Sequence, residues 1–281
     1  MKLYRYFDEN GIDVIRNLRL KASKPNKLND PFEFLPAITG EPSLAVFKSR
    51  MKDPLLINRA YAASKQKGNV ENKRAFKRSW SKNSVKDAFE SFRTKIIPGL
   101  REEVDEQKEK LSKNYRIVCF SNIEEELDSS NEILMWAHYA KNHNGFRICF
   151  NKNLLVLSRA SLFPMNYSKE RPSIDVNKAK NAIAIVKKSL ETKFVTWEYE
   201  KEYRYLIHIT ACFQEKVGNE TLDFIKISPK AILSIDVGLN VPDELKKEVA
   251  LLVQEDDLKH IKVTNAFLHD TEYKLNYVDI F

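Results

Sequence analysis

The sequence predicts an α+β fold: a mixed central β-sheet carrying a mainly helical, basic insertion. Three observations lead there. Short aromatic and β-branched runs bounded by turn residues occur near both ends of the chain. Apolar residues at helical spacing fill the segment between them. Lysine and arginine concentrate in that segment: Lys48 to Lys95 holds 14 of them against 4 acids (Asp53, Glu71, Asp87 and Glu90), in a chain whose net charge is +8. The expected organisation is an α+β domain of residues 1–42 and 114–281, interrupted by a helical insertion, 43–113.

The 281 residues can bury a large core, and 43% hydrophobic with 31% charged residues is ordinary for a globular protein. Only 7 glycines are present, which argues against a glycine-rich phosphate cradle. Cys119, Cys149 and Cys212 are odd in number and form no CxxC pair. Neither a disulfide framework nor a zinc site is expected, and no metal is. His138 and His143 are five apart, off a common helical face. The start, MKLYRYFDEN, has no apolar signal core, and no apolar run approaches the roughly 20 residues that span a bilayer. A cytoplasmic protein without membrane contact is the expectation.

In chain order, Lys2–Phe7 is a strand, Ile12–Asn17 a short helix and Leu18–Ser23 a second strand. KPNKLNDPFEF then supplies Pro25, Asn29, Asp30 and Pro31, a turn-forming set whose Asn and Asp bind either backbone or a polar ligand. In the insertion, Val85, Phe89, Phe92, Ile96 and Ile97 share a helical face, and Pro98 fits a boundary or kink before a charged helix, Leu100–Lys113. Phe76 and Trp80 are interleaved among Lys73, Arg74, Lys77 and Arg78. That basic face is either plainly solvated or a binding surface for nucleic acid, RNA or DNA.

The sheet pattern resumes with YRIVCFS, ending at Ser121. An acidic loop, IEEELDSSNE, follows, then a helix in ILMWAHYAKNHNG stopped at Asn144-Gly145, and the strand GFRICF. Asp175–Thr192 reads as an amphipathic helix. Asp223–Ile227 and Ile232–Val237 are short strands, Pro242–Val253 a helix, and Ile261–Val263 with the C-terminal tail completes the sheet.

The chemistry centres on Lys193–Ile209, KFVTWEYEKEYRYLIHI, which reads as one strand without Gly or Pro. Alternation then puts Glu200, Glu202 and Arg204 on one face. Two readings fit: an edge strand with a solvated face, or a catalytic carboxylate, Glu202 or Glu200, held by Arg204.

The pieces LYRYF, ASKPNKLNDPFEF, CFS, MWAHYAKNHNGFRICF, KFVTWEYEKEYR and KAILSIDVGLN resemble a bacterial family, domain-of-unknown-function family 2971. The order of pieces is also similar, at the level of fold, to ADP-ribosyltransferases that modify DNA or RNA. That resemblance implies NAD as substrate. A polar residue on an early strand would hold it, an aromatic residue would stack on nicotinamide, and a late-strand Glu would support an oxocarbenium-like transition state. The corresponding residues are Arg5 with Tyr6, then Trp136 or Tyr139, then Glu202 with Arg204; Asn29, Asp30 and Ser121 complete the expected NAD set. No His-Gly-Thr or Arg-Ser pair is present in the first strand. An ADP-ribosyltransferase toxin or anti-phage effector, with an antitoxin partner, is one expectation. A cofactor-independent nuclease using His138, Glu202 and Arg204 is a second. A non-catalytic nucleic-acid-binding module is a third.

Overall fold

A computed structural model describes every residue except 67, 69–71, 83–84, 123–128, 156–159, 179–181 and 281, so most of the acidic loop IEEELDSSNE lies outside the described residues. In order, the elements are β1 (Lys2–Phe7), α1 (Ile12–Asn17), β2 (Arg19–Lys21), β3 (Ala37–Thr39), α2 (Leu44–Met51), α3 (Pro54–Gln66), α4 (Lys73–Lys82) and α5 (Val85–Asn114). Then come β4 (Tyr115–Ser121), α6 (Ser129–Tyr139), β5 (Phe146–Asn151), β6 (Ala160–Pro164), β7 (Asn166–Ser168), β8 (Ser173–Asp175), α7 (Ala182–Leu190) and β9 (Thr192–Phe194). The chain closes with β10 (Glu202–His208), β11 (Phe213–Val217), β12 (Glu220–Lys226), β13 (Ile232–Val237), α8 (Asp243–Leu252), β14 (Lys262–Leu268) and β15 (Leu275–Asp279).

The chain divides into two compact units: Met1–Glu33, Lys110–Glu170 and Leu190–Phe281 form the first, Phe34–Glu109 and Arg171–Ser189 the second. The expected insertion, 43–113, falls mostly in the second unit, which also takes in 34–42 and 171–189.

In the first unit, among the described residues, eight strands form one sheet in the order β15-β14-β13-β5-β1-β4-β10-β6. It is mixed: β13 and β14 run parallel, the other neighbours antiparallel. The expected α+β class with a mixed sheet is what is found. β5 is buried along FRICF, as a central strand covered on both faces must be. One face rests on a core of Leu3, Phe120, Ile148, Phe150 and Ile235, closed by Ile15 of α1 and Val249 of α8. The other face carries Tyr6 and Ala266, covered by Met135 and Trp136 of α6. A smaller sheet, β11-β12-β2, takes the second expected strand out of the main sheet.

The second unit holds a two-stranded parallel sheet, β3-β8, and helices α2, α3 and α4. Phe47 packs on Phe89 and Phe92, with ring centroids 5.6 and 5.1 Å away. Pro98 neither ends nor divides α5, which runs continuously from Val85 to Asn114. The expected helix over Asp175–Thr192 is shorter, Ala182–Leu190, because Ser173–Asp175 pairs with β3.

The larger correction concerns Lys193–Ile209. It is not one strand: Val195–Glu200 is a 3-10 turn, Lys201 is left-handed (φ 45°), and β10 starts at Glu202. Aromatic content suggested a strand, but these aromatics are spent on packing. Tyr199 joins the Trp136 cluster, and Trp197 meets His138 edge-on at 6.3 Å.

Gly145 seats the start of β5 against the end of β1, and Gly238, just after β13, packs on the turn before β5. A Cβ on Gly145 would lie 1.9 Å from the Phe7 carbonyl oxygen; one on Gly238 would lie 2.3 Å from that of His143. Gly145→Ala is therefore predicted to lower stability by about 3 kcal/mol or more in urea unfolding, because backbone must move to admit the methyl group. Gly99→Ala within α5 is the control. A Cβ there meets nothing within 4 Å, and a gain of about 0.5–1 kcal/mol is expected.

Candidate functional site

The sheet opens at one seam. β1 and β5 are paired along their length, as are β4 and β10, but β1 and β4 share one register pair, Tyr4 opposite Ser121. Ser121 also stands opposite Glu202 across the next seam. A cavity of about 210 Å³ lies at this opening. Tyr4, Arg5 and Tyr6 of β1 line it, with Cys119 and Ser121 of β4, Glu202 and Arg204 of β10, and Glu200 and Lys193 just before them. Met135 and Tyr139 of α6 and Leu28 and Asn29 of the early turn complete the wall.

The floor is a buried charge cluster. Arg204, 1% exposed, grips Glu202 in two-pronged fashion: Nε to Oε1 at 2.6 Å, Nη2 to Oε2 at 3.0 Å. Nη2 also reaches Glu33 Oε1 at 2.8 Å, and Nη1 donates to the Leu190 carbonyl at 3.2 Å. Lys193 Nζ donates to Glu200 Oε2 at 2.6 Å and Glu202 Oε2 at 3.0 Å, and pairs with Glu33 Oε1 at 3.3 Å. The Tyr139 hydroxyl donates to Glu200 Oε1 at 2.6 Å and accepts from Asn29 at 3.3 Å. Three carboxylates thus share two cations. Arg5, half-buried on the cavity wall, is in no ion pair among the described residues; it donates to the Lys21 carbonyl at 3.4 Å and lies over the Phe7 ring.

These surroundings push the two neighbouring carboxylates apart. Burial would raise the pKa of Glu202, but the charge and hydrogen bonds of Arg204, helped by Lys193, bring it down to about 2. Burial also acts on Glu200, and there it wins: Lys193 offsets it only in part, the charge of Glu202 adds to it, and the pKa is raised. The Cys119 thiol is pushed up by burial and by Glu202. Burial lowers Arg5, and raises Tyr6 to about 12.

Of the residues singled out in the sequence, Arg5, Tyr6, Asn29, Ser121, Tyr139, Glu202 and Arg204 line the cavity. Trp136, His138 and Asp30 do not. Trp136 is fully buried: its indole donates to the Tyr277 hydroxyl at 3.0 Å, and its ring stacks on His143. Tyr139, three residues on, is the aromatic residue at the wall. His138 is exposed and rests against Trp197. Asp30 closes a turn, accepting the Phe32 amide at 2.8 Å. Lys73, Arg74, Lys77 and Arg78 are exposed on α4 of the second unit, but Phe76 is buried against Tyr61 and is not presented for stacking on a base; the Trp80 side chain lies outside the described residues.

Two members of the cluster were missed. Strand alternation assigns Lys193 to the face opposite Glu200 and Glu202; the 3-10 turn brings it back. Glu33 sits in NDPFEF, where Asn29 and Asp30 drew attention as turn residues. Its signal was a lone carboxylate between two phenylalanines.

A pH signature follows. Arg204 and Lys193 hold Glu202 at about 2 in the folded protein, below its ordinary value in the unfolded chain. Its contribution is present above the ordinary carboxylate range and is lost as pH falls towards 2. Glu200, shifted upwards, contributes in the opposite sense: fully at low pH, fading as pH rises above its ordinary range. Urea unfolding from pH 2.5 to 8 should show a shallower acid decline for Glu202→Gln than for wild type, and a steeper one for Glu200→Gln.

No curated protein and no solved structure matches the chain. Residues 135–205, from α6 through β10, match a family model described as a protein of unknown function, DUF2971, and this supports the resemblance carried by MWAHYAKNHNGFRICF and KFVTWEYEKEYR.

Proposed function

We propose that the cavity binds NAD and that the protein transfers ADP-ribose to nucleic acid, as a bacterial toxin or anti-phage effector with a neutralising antitoxin as partner. One observation carries this reading: a cation, an aromatic ring and an ionised carboxylate, Arg5, Tyr139 and Glu202, line the same cavity from β1, α6 and β10. The resemblance to ADP-ribosyltransferases calls for that combination. His138, which a nuclease reading requires beside Glu202 and Arg204, does not line the cavity.

The chemistry uses each group for what its surroundings make of it. Departure of nicotinamide leaves positive charge on the ribose, as in glycoside cleavage. Glu202 is ionised and held by Arg204 and Lys193, so it stabilises that charge without first reorganising. Flat tyrosine faces suit nicotinamide or adenine. Arg5 offers a guanidinium for the diphosphate. A cavity of about 210 Å³ suits one end of the dinucleotide rather than all of it. Lys73, Arg74, Lys77 and Arg78 on α4 supply the cations that phosphates of an acceptor strand require.

Radiolabelled transfer from NAD tests the assignment. Glu202→Gln should lose about a hundredfold or more in turnover with NAD binding little changed. Glu200→Gln should be milder, and Arg5→Met should weaken NAD binding first. Wild-type transfer by a folded Glu202→Gln protein would remove Glu202 from the mechanism. Replacing Lys73, Arg74, Lys77 and Arg78 together with Glu should weaken nucleic-acid affinity and flatten its salt dependence, leaving cleavage of NAD alone intact. An unchanged salt slope would take α4 out of the interface.

A further inference from the structure

The mechanism above gives Lys193 only a share in holding Glu202, yet Lys193 meets three carboxylates where Arg204 meets two. Its side chain is 2% exposed, and its ammonium faces three carboxylates at 2.6, 3.0 and 3.3 Å. We propose that Lys193 is a positioning residue: by holding Glu200 and Glu202 together it fixes their geometry and helps Arg204 keep Glu202 ionised. The proposal rests on the reading of Glu202 as the catalytic carboxylate.

Counting charge shows why one ammonium matters. Glu33 from the early turn, Glu200 from the 3-10 turn and Glu202 from β10 face Lys193 and Arg204, three negative groups against two positive ones. One carboxylate has no cation of its own. Glu202 takes the two-pronged grip of Arg204 and also shares Lys193. Glu200 has Lys193 and a neutral donor, the Tyr139 hydroxyl of α6. The excess proton therefore goes to Glu200 before Glu202. From the other sides, the Cys119 thiol of β4 hydrogen-bonds Glu202, and the Tyr167 hydroxyl of β7 accepts the Glu202 amide at 2.8 Å, so neither brings a further cation.

Geometry also explains why lysine stands here rather than arginine. Three oxygens from three segments converge on one nitrogen, which suits a compact ammonium with three donors and not a planar fork. Without it, three carboxylates would share the Arg204 guanidinium, and both Glu200 and Glu202 would hold protons more tightly.

Infrared titration of the carboxyl stretches tests this, with bands assigned by Glu200→Gln and Glu202→Gln. In wild type, Glu200 should titrate at higher pH than Glu202. In Lys193→Met, the Glu202 titration should move up by about one unit or more. The acid limb of turnover should move with it, with turnover reduced at least about tenfold and KM for NAD within about twofold. Lys193→Arg should bring the Glu202 titration back towards wild type while turnover recovers only in part, because charge returns and convergence does not. A folded Lys193→Met protein whose Glu202 titration is unmoved, or a wild type in which Glu202 titrates above Glu200, would overturn the proposal. Should Lys193→Met fail to fold, the wild-type order and the Lys193→Arg titration still decide it. Should wild type transfer no ADP-ribose, the proposed reaction fails, while the infrared order still tests the role of Lys193.

Discussion

Burying Glu202 and Arg204 together is the constraint on which the first unit turns. Moving two ions out of water costs several kcal/mol each, and the cost is recovered only when nearly every donor and acceptor finds a partner. Arg204 meets that condition with Glu202, Glu33 and the carbonyl of Leu190. Each partner comes from a different stretch of chain. The early turn must therefore close around Asp30, and the Leu190 carbonyl must stay in reach. The path from β9 to β10 must kink at Lys201 so that Glu200 and Glu202 both return to Lys193.

The same solution recurs elsewhere. Arg147 on β5 pairs with Asp236 at 2.7 Å and with Glu132, and lies 4.6 Å from the Tyr277 ring centre. Arg116 pairs with Asp223 at 2.5 Å and donates to the carbonyls of Ser112 and Tyr115. Neither lines the cavity. A buried arginine pair is thus a building device of this sheet and does not by itself mark a site. The Glu202 cluster is distinguished by its surplus carboxylate and by its place at the seam where β1 and β4 share a single pair. Trp136 belongs to the Arg147 device, which accounts for its burial better than any ligand does.

The sequence carried the elements whose side chains repeat with a simple period. YRIVCFS, GFRICF and Ile232–Val237 read as strands and are strands, because each buries residues in a sheet interior. Glu202 and Arg204 could be singled out because alternation along the strand puts them on one face, and Arg5 and Ser121 because the resemblance names their positions. Lys193 and Glu33 could not. Their value comes from convergence in space, and a 3-10 turn or a left-handed residue leaves no periodic trace. Pro98, expected to mark a boundary or a kink, marks no boundary, and α5 runs on through it. The parallel pairings β3-β8 and β7-β9 were also out of reach, since strands of three residues joined across long loops have no pattern of their own.

The seam between β1 and β4 has a further consequence. The middle of a large sheet is ordinarily where backbone amides are best protected, because opening them means opening the core. Here the two facing edges share a single pair in the interior of the sheet. Ser23 takes up Ile117 of β4 through two backbone hydrogen bonds, and beyond it the peptide groups of the seam are not paired by β1 and β4 with each other. Amide exchange should therefore run fast at a place where topology alone would put the slowest amides of the molecule. A ligand filling the seam would slow it, in effect acting as the missing rungs of the ladder.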